Sequence, residues 1–311
     1  MRRAVGPYIR SMRVSVVLGQ WLDRPLEADL EIAELADRLG YPELWVPEMA
    51  KADSPALATL IAERTSQIEI TLGPLPVTVR TPVQIAIALQ TVALTGRPIH
   101  VALGTSSSLV ARWHGRTRHG AAARLDTTRR EVAALLAGER VNGFRLARPP
   151  APRPSITVAA FGPRAVGAAA AADRMVLNMV TAETAGRLAT QHPNTAVWLC
   201  AAIDPTKEER AWLSRGFVGY LAAPGYSEMF TEAGYGELVH FAKSKPGPKE
   251  VFARVPDDLI DRVALVGSEA TVRSRMDEYA AAGITEICLV PPAPDLPSSR
   301  RTLDVLAPNK T

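Results

Sequence analysis

The feature that constrains the fold most is a regular alternation of short apolar runs with amphipathic helical segments. Eight of the runs are apolar on both faces, which is typical of strands in a parallel sheet that helices cover. Eight such repeats predict an α/β fold, a closed (β/α)8 barrel or TIM barrel. The predicted strands are residues 13–19, 43–47, 68–73, 99–104, 156–161, 174–180, 195–203 and 285–290.

Helical periodicity separates these strands. Between Leu26 and Leu39 apolar residues recur at steps of three and four, acidic residues fill the gaps, and Gly40 ends the pattern. An open, doubly wound sheet is the alternative fold, but the first strand lacks the G-x-G-x-x-G turn of dinucleotide-binding folds. Further helices are predicted at residues 54–65, 82–94, 107–113, 127–137, 163–172, 182–191 and 268–282.

Two segments fall outside the repeat. Residues 1–11 are interpreted as an N-terminal extension, with Met12 as an alternative start. Residues 204–258, after the seventh strand, read as helical and rich in aromatic residues. Connections of that length are usually functional or insertional. We therefore predict a single domain over residues 1–311, in which residues 204–258 form a helical cap over the carboxyl-end face of the barrel.

Composition and charge restrict the functional class. Apolar residues make up 47%, charged residues 22%, and the net charge is +4, which excludes a disordered or fibrous chain. No apolar stretch reaches the roughly 18 residues of a membrane span, and the start lacks the apolar core of a signal peptide. Cys200 and Cys288 lie in apolar strands and are interpreted as core residues rather than a disulfide. No metal-ligand spacing or nucleic-acid motif is present. We expect a cytoplasmic protein that acts on a small molecule, with no metal, membrane or nucleic-acid partner.

In such a barrel the active site lies at the carboxyl ends of the strands. Here those ends carry mostly glycine, proline and small hydroxyls, with one carboxylate, Glu48, and no histidine. This set of residue types suits a flat cofactor that brings its own chemistry and needs the backbone to approach it closely. The strand ends are Gln20 and Trp21, Pro47 to Met49, Gly73 to Val77, Gly104 to Ser108, Ala160 to Arg164, Asn178, and Pro291 with Pro292.

Two glycine-serine segments are candidate phosphate sites. Residues 104–108 end the fourth strand and open a helix, and Gly267-Ser268 opens the last predicted helix, just before the eighth strand. Free N–H groups at helix N-termini bind phosphate, and barrels of this type often hold phosphate near the eighth strand. Plain N-capping of the helices by serine is the alternative at both sites.

The segment 104–116, GTSSSLVARWHGR, resembles the strand-four motif of the bacterial luciferase-like superfamily, and it is closest to the branch that uses the deazaflavin coenzyme F420. Residues 44–48, 73–82, 162–173 and 265–287 match in the same order, so that the resemblance covers residues 12–293. It implies a TIM barrel, often a homodimer, that transfers hydride between the reduced cofactor and a small organic substrate. An FMN-dependent monooxygenase of the same fold and a non-catalytic cofactor-binding protein are the alternatives.

The resemblance also implies a cofactor site. In the family a bulge with a cis peptide at the end of strand three backs the cofactor ring, and the matching bond here is Gly73–Pro74, where proline makes the cis form less costly. Arg164 or the arginines between Arg112 and Arg130 are candidates to meet the anionic cofactor tail, although the latter also read as a solvated helical face. The implied cofactor-binding residues are Glu48, Gly73, Pro74, Gly104, Thr105, Ser106, Ser107, Ala160, Gly162, Pro163, Arg164, Gly267 and Ser268.

Departures from the residue pattern of the family narrow the type of reaction that we expect. Its dehydrogenases carry a histidine after the strand-two acid and a glutamate in the strand-four loop, whereas this chain has Met49 and serines there. A reductase is therefore favoured. Glu48 and His114 are the candidate catalytic proton donors. The alternatives are that Glu48 binds the cofactor ring edge and that His114 is a structural residue at a helix end. Further candidates are the cap residues Tyr220, Tyr226 and Tyr235, and Trp21 either lines the substrate pocket or packs under the cap.

Overall fold

The computed structural model describes residues 12–19, 24–293 and 295–308. The N-terminal extension, Gln20 and Trp21 lie outside the described residues. The strands of the described structure are β1 (Arg13–Val17), β2 (Glu43–Val46), β3 (Glu69–Pro76), β4 (Ile99–Gly104), β5 (Ile156–Ala159), β6 (Arg174–Asn178), β7 (Thr195–Ile203), β8 (Leu265–Gly267) and β9 (Glu286–Val290).

Eight of these strands close into a parallel barrel. Strands β1 to β7 pair in sequence order, and β9 pairs with both β7 and β1, which completes the ring. The predicted (β/α)8 TIM barrel is therefore confirmed. The short strand β8 was not predicted, and it pairs only with the outer end of β7, Ala201 to Ile203, beyond the point where β7 leaves β9.

Helices surround the barrel, and three of them depart clearly from the sequence prediction. The α-helices are α1 (Leu26–Arg38), α2 (Ser54–Arg64), α3 (Pro82–Val92), α4 (Ser108–Trp113), α5 (Ala121–Leu136), α6 (Pro163–Ala169), α7 (Ala182–Ala189), α8 (Lys207–Arg215), α9 (Tyr226–Phe230), α10 (Gly236–Lys243), α11 (Pro248–Phe252), α12 (Leu259–Val263), α13 (Glu269–Ala281) and α14 (Pro297–Val305). The three that depart are α5, α12 and α14, and the sequence prediction lacks α12 and α14.

Helix α5 begins at Ala121, six residues before the predicted start at 127, because Ala121 and Leu125 are buried and extend its apolar stripe. Helix α14 was not predicted at all, so the helix that begins after Gly267-Ser268 is not the last. Its buried face contains Ser298, Ser299 and Thr302, and small polar residues hide the apolar periodicity. The Thr302 hydroxyl accepts a hydrogen bond from the backbone N–H of Ile203, which joins α14 to β7.

A layer of charged side chains fills the amino-terminal half of the barrel. Arg174 on β6 donates to Glu43 on β2 at 2.6 and 2.9 Å and to Glu286 on β9 at 2.6 Å. Because β6 neighbours neither β2 nor β9, these bonds cross the barrel interior. Every second residue along each strand faces inward. The next layer toward the carboxyl ends therefore contains Trp45, and the central carbon of the Arg174 guanidinium lies 4.3 Å from the centroid of its ring.

The insertion after β7 is helical, as predicted. It contains α8 to α11 between the end of β7 and α12. Phe217, Leu221, Met229 and Phe230 bury their side chains in the main core, which fixes this segment to the barrel. We call residues 204–258 the cap.

Candidate active site at the carboxyl ends of the strands

The barrel interior becomes partly accessible at the carboxyl ends of the strands, which we call the mouth. Trp198 on β7 meets Trp45 on β2 edge to face across the barrel, with ring centroids 5.3 Å apart, so Trp198 and, two residues on, Cys200 point inward. The same alternation places Asn178 of β6 and Val290 of β9 inward. These mouth residues are half-buried, whereas Cys288 in the layer below is fully buried.

The end of β3 carries a bulge at Gly73–Pro74. The peptide bond is cis, as the resemblance predicted, and the register with β4 shifts between Leu72 and Leu75. Gly73 has a φ of +103°, and a Cβ there would lie 2.2 Å from the backbone nitrogen of Leu75 and 2.5 Å from the Ala102 carbonyl oxygen. Only glycine fits this position.

Gly104, at the end of β4, lies directly beside this bulge. A Cβ at Gly104 would lie 3.0 Å from the Pro74 ring and 3.5 Å from the Ala159 methyl group. The absence of a side chain at Gly104 keeps the space between these neighbours open. The ends of β3, β4 and β5 thus bring Gly73, Pro74, Gly104 and Ala159 together in a surface without long side chains, which we call the ledge.

Glu48 follows β2, and its carboxylate is held by Arg80. The Arg80 guanidinium donates to both Glu48 oxygens at 2.7 and 2.6 Å and also to Asp53, and the backbone N–H of Ser54 donates to Glu48 at 3.1 Å. Burial disfavours the charged guanidinium, yet the hydrogen bonds and the charge of Glu48 raise the pKa of Arg80 above its ordinary value. The role of Arg80 was not recognised in the sequence, where only its place in the resembling segment was noted.

The strand-four loop contains Thr105, Ser106 and Ser107. Arg118 lies over this loop and donates to the Ser106 carbonyl at 2.6 Å and to the Thr105 hydroxyl at 3.0 Å. The Ser107 side chain accepts the N–H of Val110 and so caps α4. The serine therefore makes the capping interaction that was the alternative to phosphate binding.

Ser268 behaves in the same way at the second candidate phosphate site. Its hydroxyl accepts the N–H of Thr271 at 3.2 Å and caps α13, directly after Gly267. Gly267 ends β8, which places this segment at the carboxyl end of the sheet. Capping occupies the serine side chain at both sites.

The segment after β5 has a more open structure. Ala160 is buried and its N–H bonds the Val176 carbonyl at 3.0 Å, but Gly162, Pro163 and Arg164 are exposed where α6 begins. No atom lies within 4 Å of the position that a Cβ at Gly162 would take. Arg164 is exposed in the first turn of α6, just after the carboxyl end of β5.

Beside the ledge, around the ends of β5 and β6, the cap covers the mouth with aromatic side chains. The Tyr226 ring stacks on Phe161 with centroids 4.5 Å apart, and its hydroxyl donates to the Asn178 carbonyl oxygen at 2.9 Å. The Asn178 amide donates to the Tyr226 hydroxyl at 3.3 Å, and Tyr220 meets Tyr226 edge to face at 4.9 Å. Tyr220 and Tyr226 therefore reach the mouth.

Tyr235, the third cap tyrosine, does not take part in this cluster, because its hydroxyl bonds Asp258 at 3.2 Å. Burial raises the pKa of Tyr226 and of Tyr220, which keeps both phenols protonated at neutral pH. Burial likewise raises the pKa of the Cys200 thiol to about 12. Both cysteines are free thiols, and Cys200 lies at the mouth rather than deep in the core.

His114, Arg116 and Arg124 make none of the contacts described above at the mouth. His114 is exposed at the carboxyl end of α4, the helix-end position that was its structural interpretation. A cavity of about 300 Å³ lies beside the β3–α3 loop, and Arg80, Arg116 and Arg124 line it. Arg116 and Arg124 are exposed and form no ion pair with any described residue.

Two general findings apply to the described part of the chain. Within residues 12–19, 24–293 and 295–308, no three histidine, cysteine, aspartate or glutamate side chains gather in an arrangement that would hold a metal ion. Over the same residues no helix combines the length and apolarity that crossing a bilayer requires.

Comparison with known proteins agrees with this architecture. A family model described as luciferase-like monooxygenase matches residues 12–286. None of the curated proteins matches the sequence.

Solved structures with the same fold include enzymes that use different cofactors. The coenzyme F420-dependent tetrahydromethanopterin reductase of Methanopyrus kandleri has 14% identity and a TM-score of 0.75, with 96% of this chain and 97% of that chain covered. An F420-dependent secondary alcohol dehydrogenase in complex with an F420-acetone adduct has 15% identity and a TM-score of 0.74, with 96% and 99% covered. The FMN-bound oxygenating constituent of 3,6-diketocamphane monooxygenase from Pseudomonas putida has 15% identity and a TM-score of 0.72, with 96% and 97% covered.

Proposed function

Since the chain belongs to the luciferase-like monooxygenase family, we propose that it is a cytoplasmic oxidoreductase that uses the deazaflavin coenzyme F420, and that it acts as a reductase on a small organic substrate. When bound, a reduced deazaflavin supplies a hydride and reacts poorly with oxygen. The protein's own contribution is to position the ring and the substrate, exclude water and deliver a proton.

The observation that carries the proposal is the ledge of Gly73, Pro74 and Gly104. A flat ring needs a surface free of projecting side chains, and any side chain at Gly104 would fill the space beside Pro74. The residues present therefore fit a flavin-type cofactor. Thr105, Ser106, Ser107, Ala160 and the Gly162–Arg164 turn border the same side and are proposed to hold its polar groups, with Gly267 and Ser268 as a second phosphate contact.

The anionic end of the cofactor is proposed to reach the basic cavity beside the β3–α3 loop. Arg116 and Arg124 form no ion pair with a described residue, and Glu131 is the one acidic residue beside the three arginines in the lining of the cavity. The cavity volume of about 300 Å³ is large enough for a carboxylate or phosphate group. Arginine binds both groups through a planar pair of N–H donors. Arg164, exposed at the rim, is the other proposed contact.

Proton delivery falls to a group at the mouth. Both Glu48 oxygens accept hydrogen bonds, so we propose that this carboxylate mainly holds the loops after β2 and β3 beside the cofactor edge. His114 is exposed at the end of α4 and would act only if the substrate extended to it. The protonated phenol of Tyr220 lies at the mouth and is the proposed proton donor, because the Tyr226 hydroxyl already donates to the Asn178 carbonyl oxygen.

Titration of the purified protein with reduced deazaflavin, oxidised deazaflavin and FMN, followed by fluorescence, tests the proposal. We expect saturable deazaflavin binding and weak FMN binding. Preference for FMN would instead support the alternative, an FMN-dependent monooxygenase, with which the chain shares its fold to a similar degree. Binding of neither would overturn the cofactor assignment, and binding without turnover of any acceptor would leave a non-catalytic carrier.

We also propose that the protein is a homodimer. Helix α3 and the turn after it contain no charged residue from Pro82 to Gly96, yet Ile87 is 43% and Leu94 is 84% exposed. Leu60 on the neighbouring α2 is 54% exposed. A surface helix without charges is unusual in a monomer, and a second copy of the same face would cover it.

A further inference from the structure

One side of the mouth is aromatic and carries no formal charge. Ends of β5, β6 and β7 supply part of it and the cap supplies the rest. Its polar groups are one amide, two phenols, one thiol and one indole N–H, whereas the opposite side contains the Glu48–Arg80 ion pair. We call this side the aromatic wall, and its members are Phe161, Asn178, Trp198, Cys200, Tyr220 and Tyr226.

The wall is held rigidly by its own contacts. Tyr226 is fixed by the Phe161 stack and by its two hydrogen bonds with Asn178. Gly225 brings the backbone so close to Phe161 that a Cβ would lie 2.3 Å from the ring. These contacts fix Phe161, Asn178 and Tyr226 in place, whereas Trp198 and Cys200 make none of them.

Most polar atoms of the wall already have partners. The Tyr226 hydroxyl and the Asn178 amide bond each other. The Trp198 indole N–H is different, because it is buried and has no hydrogen-bond acceptor among the described residues. Because this nitrogen has almost no accessible surface, a ligand oxygen can accept its hydrogen bond only after the Trp198 ring turns toward the mouth.

We propose that the aromatic wall is the substrate subsite, that its substrate is a neutral, planar and largely apolar carbonyl compound, and that Tyr220 and Trp198 select it. That the bound molecule is a substrate rests on the proposed reductase function, whereas the binding preference itself does not. Planar rings gain apolar contact and edge-to-face interactions with Tyr220 and Tyr226. A charged substituent is disfavoured because the wall offers no opposite charge to compensate its desolvation.

Calorimetric titration with two matched probes tests this preference. The neutral ketone 2-acetonaphthone and the anion 2-naphthoate have nearly the same size and shape, and neither alkylates thiols. We expect the ketone to bind at least about tenfold more tightly, the factor that corresponds to 1.4 kcal/mol. Equal binding, or tighter binding of the anion, would overturn the proposed substrate class.

Variants assign the binding to the wall. Trp198→Phe keeps an aromatic ring and removes the N–H, and we expect ketone binding to weaken about fivefold, as for one lost hydrogen bond. Tyr220→Ala should weaken binding of the ketone as well. Tyr235→Ala is the matched control, since Tyr235 lies in the same cap but bonds Asp258 away from the mouth. An equal loss in the control would point to a general effect on the cap.

Cys200 supplies an independent readout of location. Its alkylation by N-ethylmaleimide, followed by peptide mass spectrometry, should slow about tenfold when the ketone is present at ten times its dissociation constant. Cys288, fully buried in the layer below, is the internal control. Unchanged alkylation of Cys200 in the presence of bound ketone would place the ligand elsewhere and overturn the assignment.

The two proposals fail separately. The titrations are carried out on the protein alone and after saturation with reduced deazaflavin. Ketone binding at the wall with no deazaflavin binding would contradict the proposed function and leave the subsite standing. Deazaflavin binding with no preference between ketone and anion would contradict the subsite and leave the cofactor assignment standing.

Discussion

Gly73 and Gly104 decide the geometry of the mouth at the scale of single residues. Gly73 adopts a φ of +103° in the bulge of β3, and Gly104 leaves space beside Pro74. Both glycines were recognisable in the sequence because they end predicted strands. The close approach of Gly104 to Pro74 could not be read from it, since 30 positions separate them and only the pairing of β3 with β4 brings them together.

Replacing Gly73 with alanine should destabilise the fold strongly. The methyl group would overlap two backbone atoms, Leu75 N and Ala102 O, so we expect a loss of about 3 kcal/mol from strain and overpacking together. Gly96→Ala is the matched control, because Gly96 also has a positive φ, +77°, but no neighbour within 4 Å. Its cost should be about 1 kcal/mol. Urea unfolding measures both, and equal losses would contradict the steric argument.

The Glu48–Arg80 pair makes a second prediction at this scale. Each partner is at most 17% exposed, so the pair is only weakly screened by solvent. A double-mutant cycle of Glu48→Gln and Arg80→Met should give a coupling energy of about 1–3 kcal/mol in urea unfolding. Additive losses would show that the carboxylate acts independently of Arg80, which would reopen its role as a proton donor.

At the scale of elements, the charged layer joins strands that are not neighbours. Arg174 ties β6 to β2 and β9 through Glu43 and Glu286. Burial alone would raise the pKa of Glu43, but Arg174 more than offsets this and lowers it below 4.5. Burial and the nearby Glu43 charge raise the pKa of Glu286 above 4.5, and Arg174 offsets this only in part. The two carboxylates therefore have opposite effects on stability as the pH changes.

Replacing each carboxylate with glutamine should reveal this opposition. Glu43 contributes stability that is present above pH 4.5 and lost as the pH falls through its lowered pKa. Glu286 binds its proton more tightly in the folded state, so its contribution declines as the pH rises from 4.5 toward its raised pKa. The stability advantage of the wild type should thus grow with pH over Glu43→Gln and shrink with pH over Glu286→Gln.

Urea unfolding from pH 3 to pH 8 measures both slopes, because the Glu43 effect falls below pH 4.5 and the Glu286 effect falls above it. At neutral pH we expect Glu43→Gln to cost about 3–5 kcal/mol, because the buried Arg174 loses its main partner. Slopes of the same sign in the two variants would show that Glu43 and Glu286 share one protonation state, contrary to the assignment made from their contacts.

At the scale of the whole molecule, the exposed apolar face of α2 and α3 is the feature that the monomer leaves unexplained. Substituting Leu94, which is 84% exposed, with glutamate should convert a homodimer into a monomer. A charge placed in an apolar interface loses its hydration without gaining a partner. Ala280→Glu is the control, since Ala280 is exposed on α13. Analytical ultracentrifugation gives the outcome, and a monomeric wild type would exclude the proposal.

The sequence by itself determined the barrel, most helix positions, the cap and the glycine-rich strand ends. Strand and helix periodicity is local, and each repeat buries its apolar face in the same way, so the pattern is legible without knowledge of contacts. The bulge at Gly73–Pro74 was implied by the family resemblance, and proline lowers the cost of its cis bond. Strand β3 continues past the bulge to Pro76.

Only the tertiary structure decided which side chains meet. The pairing of Arg80 with Glu48, the arrangement of Phe161, Asn178 and Tyr226 into a wall, and the partners of Arg174 all join residues far apart in sequence. Strand β8 and helix α12 were missed because they are only three and five residues long, and α14 was missed because it buries polar residues. Periodicity shows which face of an element is buried, whereas barrel closure determines what that face touches.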